Sequence, residues 1–334
     1  MSDPLPDDQR LKGISPKAYE HPADRAATAA LKSIPMLDTV VRKLIELQYE
    51  RALRQRFLAG SIRLGPDQLP ETWADHVAAT TRLDLPETYD LYLTQAPFTN
   101  AAAIGAGKPM VVINSRTVDL LDVHEVRTVL GHEAGHILSD HVLYRTALMI
   151  LLSATGLARL PVLGGLPLLA VRLALLEWFR AAELSCDRAA TLVNRDPLIT
   201  CRTLMVLAAG MPSSKLNVDA FMRQAREYEE WDSGWDKLAR LGGELTLTHS
   251  HPVRRAHEVM SWVQAGDFDR IMGGDYRTRD QEAASPRQEA GDAVEFYSER
   301  FRKVFRDVGE SVEKAGGSLA DAGERFGDWL RTRQ

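Results

Sequence analysis

The sequence predicts an α+β fold, mostly helical, with one small antiparallel sheet. Three observations carry this expectation. Apolar residues recur at helical spacing through most of the chain. The only β-rich runs lie within residues 90–118. Asp122 stands where a helix cap belongs, ahead of a long periodic run. The chain has 334 residues, of which 45% are hydrophobic, so a sizeable core can be buried and disorder throughout is excluded. The formal charge of −5 leaves no basic footprint, which argues against a nucleic-acid partner. Two cysteines, Cys186 and Cys201, cannot build a disulfide framework, and both are expected as reduced, buried packing residues. The start, MSDPLPDDQRLKG, lacks a secretory pattern, so a cytoplasmic location is expected, with membrane association left open.

Taken in order, residues 1–23 read as a polar, proline-containing loose arm. A helical pattern runs from Asp24 to Leu58, carried by Leu37, Val40, Val41, Leu44, Leu47 and Tyr49. A second helix is expected over 68–83. Residues 90–98 and 108–118 read as strands around the Gly/Ala run 100–107. Asp122 then caps a helix from Val123 to Tyr144. Residues 146–176 are the most apolar, in runs of about a dozen broken by Arg159, Pro161, Gly164, Gly165, Pro167 and Arg172. A spanning helix needs about 20 uninterrupted apolar residues, so these runs read as buried helices or as helices lying on a membrane surface. A helix follows over Glu177–Asn194, and helices continue to about 264. Residues 275–290 read as a linker. In the tail, Val294, Tyr297, Phe301, Val304, Val308 and Val312 form a helical stripe, for docking or for a membrane or partner surface. The expected organisation is an N-terminal arm and helix (1–60), a main domain (61–270), and a linker with an amphipathic tail (271–334).

The chemistry concentrates in His132-Glu133-Ala134-Gly135-His136. On a helix, residues i and i+4 share a face, so both imidazoles can reach one metal ion. Glu133 can then reach a metal-activated water without ligating, as a general base must. The competing reading is a polar helix edge. A metal site of this kind needs a third ligand and an open position. The metzincin extension would put Gly at 139 and His at 142; Ser139 and Val142 exclude it. His141 is five residues past His136, off the ligand face, and reads as structural. Glu183 and Asp187 share a face of a largely apolar helix, where buried carboxylates need a cation. Glu183 as ligand would leave Asp187 to accept the outer N–H of a zinc histidine. The alternative is a solvent-facing acidic edge. His249 and His257 read as surface residues, and His21, His76 and His124 have no partner pattern.

His132-Glu133-x-x-His136 followed by Glu183-x-x-x-Asp187 resembles the gluzincin metallopeptidases of the HtpX and CAAX-prenyl-protease type, metallopeptidase family forty-eight. Asn100-Ala101-Ala102-Ala103 is similar to that family's edge segment, residues 108–141 to its strand, loop and helix run, and Ser250-His251-Pro252 with Arg255 to its late motif. The likeness spans about residues 35–265. The spacing to Arg255 is short, leaving Arg254 as a competitor, and no N-terminal pair of spanning helices is present.

The resemblance implies a zincin-like domain and a zinc-dependent endopeptidase with one zinc ion per chain. His132, His136 and Glu183 would ligate it, Glu133 would be the base, and Asp187 would orient a zinc histidine. His251 or Arg255 would face the oxyanion; His251 could instead block the zinc at rest. An extended protein or peptide substrate could add as a strand along Asn100, Ala101 and Ala103. A role in protein quality control follows as an expectation. The rival expectation is a proteolytically silent, zinc-stabilised binding or chaperone-like protein at a membrane surface. A third is a membrane-surface scaffold built on residues 146–176 and the tail.

Overall fold

Three strands of a four-stranded sheet lie within residues 90–114, and their pairing departs from the expected antiparallel sheet. The structure, a computed structural model, describes residues 10–34, 37–46, 49–105, 107–153, 162–163, 166–230 and 250–282, with isolated positions 299, 302, 303 and 306. The strands are β1 (Ile62–Arg63), β2 (Asp90–Thr94), β3 (Ala101–Ile104) and β4 (Met110–Asn114), in the order β1-β2-β4-β3. β1 with β2 and β3 with β4 are antiparallel, but β2 and β4 run parallel, Leu91 opposite Val111. The sheet is therefore mixed. The reason lies in β4. All five residues of MVVIN are buried, and a continuous apolar run belongs in the sheet interior. Val111 and Ile113 enter the main core, while Met110 and Val112 face the opposite side with Tyr92 and Leu53. The alanine-rich β3 is left at the edge.

The expected helix Asp24–Leu58 is three helices: α1 (Pro22–Lys32), α2 (Leu37–Glu46) and α3 (Tyr49–Gly60). Pro35, between the first two, has no N–H and disfavours helix before it. The loose arm is also corrected from residue 10 onward. Leu11, Ile14 and Tyr19 are buried in the main core, and residues 13–15 pair with the expected linker through Ser15 N–H to Arg277 O (3.0 Å) and Arg279 N–H to Gly13 O (2.7 Å). The helix expected at 68–83 is α4 (Pro70–Arg82), and the short α5 (Ser115–Leu120) follows β4.

Asp122 caps α6 (Val123–Leu138) by accepting from the Glu125 N–H, while Glu125 accepts from the Asp122 N–H; the two bonds form a reciprocal capping box. This helix stops six residues short of Tyr144. Asp140 adopts φ +56°, and His141 N–H bonds to His136 O (3.0 Å) while Asp140 N–H bonds to Ile137 O (3.2 Å). That pair of bonds is a Schellman turn, with an aspartate tolerating the left-handed position. It folds His141 back beneath His136. α7 (Val142–Ser153) starts immediately afterwards.

The apolar region joins the next expected helix to give α8 (Leu168–Asn194), with β5 (Val162–Leu163) and β6 (Leu166–Pro167) pairing before it. Its described apolar residues largely pack inside the protein. Ala147, Leu148, Ile150, Leu151, Val171, Ala174 and Leu175 share a core with Ala27, Leu31 and Leu37 of α1 and α2. Among the described residues, no helix is long and apolar enough to cross a membrane. Asp196 caps α9 (Pro197–Ala209), and α10 (Val218–Glu230), α11 (Pro252–Gln264) and α12 (Asp267–Met272) complete the body. The tail stripe at 294–312 and His249 lie outside the described residues.

Candidate metal centre and active-site cleft

Two glycines let α6 and α8 approach closely enough for their side chains to converge. A Cβ at Gly135 would lie 2.7 Å from Ala189 Cβ and 3.4 Å from Cys186 Cα; one at Gly131 would lie 3.0 Å from Val193 Cβ. The glycine inside His-Glu-Ala-Gly-His is therefore a requirement of packing.

Across this contact the structure brings His132, His136 and Glu183 together. Glu183 Oε1 lies 3.1 Å from His136 Nε2 and 3.5 Å from His132 Nε2. Glu183 and His136 are wholly buried. Asp187, one turn along α8, places Oδ1 3.1 Å from His132 Nδ1. Burial disfavours a charged His132, but Glu183 and Asp187 outweigh it and raise its pKa to about 9. Burial and the Arg145 charge instead drive His136 well below its ordinary value.

This donor set fits a metal ion. Both histidines direct Nε2 toward one carboxylate oxygen, and Nδ1 of each is backed by another polar group, His132 by Asp187 and His136 by His141. Two imidazoles and a carboxylate suit zinc. Cys186 is a competitor: a donor atom from each of His132, His136 and Cys186 lies within 4.8 Å of the others. Burial and the nearby carboxylates raise the Cys186 thiol well above its ordinary value, which works against the thiolate a metal needs. We favour Glu183 on these grounds. The sequence reading of Cys186 as buried and reduced agrees with its burial and its free thiol.

Glu133 is held from two directions. Its Oε2 accepts from Ala103 N–H (2.6 Å) and from Arg145 Nη1 (2.5 Å). Arg145 Nη2 also donates to Ala101 O (3.2 Å). Arg145 was missed by the sequence reading. The available signal was an arginine inside an otherwise apolar helix, which must find an acid when buried. These bonds also revise the role expected of Ala103, whose N–H serves Glu133. Asn100 and Ala101 line a cleft of about 380 Å³ together with His132, Glu133, Glu183, Asp187, His251 and Arg255. Thr128, Val129, Thr200, Thr203, Leu204 and Leu207 also line it.

Arg255, buried on α11, lines the cleft and is engaged with two carboxylates. Its Nε and Nη2 grip Asp187 at 2.7 and 2.6 Å, and Nη1 lies 3.1 Å from Glu183 Oε2. Burial opposes its charge, but Asp187 and Glu183 outweigh that and raise its pKa further. All three nitrogens thus hold carboxylates. Arg254 is half-buried and does not line the cleft. His251, at the N-cap of α11, lines the cleft with its ring 6.3 Å from that of Tyr228. His257, expected at the surface, is half-buried. His76 is buried and bonded through Nε2 to Tyr89 O (2.8 Å). His21 caps α1 through Nδ1, 3.1 Å from Ala23 N.

Comparison with known proteins adds to this geometry. The model of peptidase family M48 matches residues 71–263. The chain is 34% identical over 269 residues to the plastoglobule-localized metallopeptidase 48, chloroplastic, of Arabidopsis thaliana, covering 78% of this chain and 77% of that protein. It is 29% identical over 104 residues to the protease HtpX homologs of Tropheryma whipplei strains Twist and TW08/27, covering 30% of this chain and 35% of theirs. No solved structure matches significantly. An HExxH helix packed on a carboxylate-bearing helix, a family match over most of the body and a metallopeptidase relative along most of the chain agree: this chain belongs to peptidase family M48 and is a metallopeptidase.

Proposed function

We propose that the chain is a zinc-dependent endopeptidase in which His132, His136 and Glu183 hold the ion and Glu133 is the general base. The observation that carries this reading is the convergence of both Nε2 atoms on Glu183 Oε1, at 3.1 and 3.5 Å, with Glu133 on the neighbouring cleft wall. Zinc held there supplies Lewis acidity, polarising a carbonyl and making a water nucleophilic near neutral pH. Glu133 accepts the water's proton on its carboxylate and returns it to the leaving amine. Arg145 and the Ala103 N–H fix that carboxylate, so little reorganisation is needed. Asp187 orients His132 and is itself clamped by Arg255. With Arg255 engaged by carboxylates, His251, which lines the cleft, donates to the developing oxyanion.

Substrate lies extended along the cleft wall beside Asn100 and Ala101, with the Ala101 carbonyl and the Ala103 N–H of β3 already engaged by Arg145 and Glu133. A folded protein must open locally to present such a strand, which favours unfolded clients and a quality-control role. The described apolar residues of α1, α2, α7 and α8 largely pack against one another in one internal core.

The test is cleavage of an unfolded protein by zinc-loaded enzyme. Glu133→Gln should retain one zinc per chain and lose turnover by at least 1,000-fold, on the order of a lost base combined with altered hydrogen bonding. Undiminished turnover would remove Glu133 from the mechanism. Cleavage by neither form, with equal client binding, would favour the silent binding protein.

A further inference from the structure

We propose that Asp24, on α1, is a positioning residue of the metal site, fixing through His141 the tautomer and orientation of His136. This rests on the reading of His136 as a metal ligand. Asp24 lies outside residues 71–263, the span matched by the family model.

His136 turns Nε2 toward Glu183, and its Nδ1 lies 3.3 Å from Nδ1 of His141. One of these two nitrogens must donate. His141 Nε2 lies 3.2 Å from Asp24 Oδ2. An ionised carboxylate only accepts, so His141 carries its proton on Nε2. With its Nε2 given to a metal, His136 keeps its ring proton on Nδ1 and donates it to His141 Nδ1; Asp24, by accepting from His141 Nε2, favours the His141 tautomer whose Nδ1 can accept.

The surroundings hold this arrangement in place. Asp24 is wholly buried; Oδ2 also accepts from Ser185 Oγ (2.6 Å) and Oδ1 from Thr28 Oγ1 (3.1 Å). Thr28 in turn accepts from Trp178 Nε1 (2.7 Å). The His141 ring meets Trp178 edge-on at 5.5 Å, and the His136 ring stacks on Phe179 at 5.7 Å. Both rings are buried. The two paired histidines are thus treated alike: His132 has a carboxylate directly behind it, and His136 has one a ring further away.

Two measurements on the full chain test this. In the zinc-loaded wild type, ¹⁵N shifts of the histidine rings should report His141 protonated on Nε2 alone and His136 on Nδ1 alone. The opposite tautomer at His141 overturns the proposal, and this readout needs no variant to fold. Second, zinc affinity is measured by chelator competition for wild type, Asp24→Asn, His141→Gln and the double variant, alongside the thermal midpoint of each metal-free protein. Asp24→Asn should weaken zinc binding about 10- to 100-fold. In the His141→Gln background it should weaken it no further. An unchanged affinity with a lowered metal-free midpoint would make Asp24 only an anchor of α1 and overturn the proposal, as would additive losses in the double variant. A wild type that binds no zinc would instead overturn the underlying reading as well.

Discussion

Gly135→Ala tests whether the α6–α8 distance sets the metal site. The new Cβ would lie 2.7 Å from Ala189 Cβ, with Cys186 Cα on its other side at 3.4 Å. Both neighbours are fixed to the α8 backbone, so no side-chain rotation relieves the contact. Restoring an ordinary contact of at least 3.4 Å requires the helices to part by about 0.7 Å. Alanine gains about 1 kcal/mol in helix propensity, whereas overpacking of this kind costs about 1–3 kcal/mol. The metal-free protein should thus be destabilised by at most about 2 kcal/mol. The metal site is far less tolerant. Ligand distances hold to about ±0.2 Å, and His136 is the very next residue. Zinc affinity should fall at least tenfold, or about 1.4 kcal/mol. Chelator competition and thermal unfolding of the metal-free protein separate the two effects. Gly131→Ala is the comparison, since its Cβ meets Val193 at 3.0 Å, one turn away. Wild-type zinc affinity in Gly135→Ala would refute the claim that helix separation controls the site.

Other consequences follow from single contacts. Arg145→Met leaves Glu133 buried without its cation; kcat should drop about 10- to 100-fold with zinc content retained, and Arg145→Lys should recover part of it. Burial lowers the His76 pKa to about 4 against an unfolded value near 6.5. The unfolded chain therefore binds the extra proton between those values, so this residue's contribution to stability is complete above pH 6.5 and is lost as pH falls toward 4. The loss amounts to about 3 kcal/mol, and His76→Gln should flatten the fall in thermal midpoint over that window.

What the sequence could reveal was local. His132, Glu133 and His136 lie within one helical turn, and Glu183 and Asp187 within another, so their faces follow from helical periodicity alone. The Asp122 cap is likewise a four-residue pattern. The failures are long-range. The apolar run of β4 marks it as an interior strand, but nothing near it in the chain specifies that it pairs parallel to β2. Helical spacing sets His141 apart from His132 and His136, but the helix ends at Leu138, and the turn there is what brings it behind His136. Arg145, Asp24 and the clamp of Arg255 on Asp187 depend on helices meeting from distant parts of the chain. Arg255 shows the limit most clearly, since its motif position marked it as functional while its partners decided what it does.

The central claim is that one carboxylate and two imidazoles hold the ion, with Cys186 left as a thiol. X-ray absorption on the zinc-loaded protein tests it directly. The account predicts only nitrogen and oxygen neighbours at about 2.0–2.2 Å, with loss of binding in Glu183→Ala. A sulfur neighbour at about 2.3 Å would place Cys186 on the metal and contradict it.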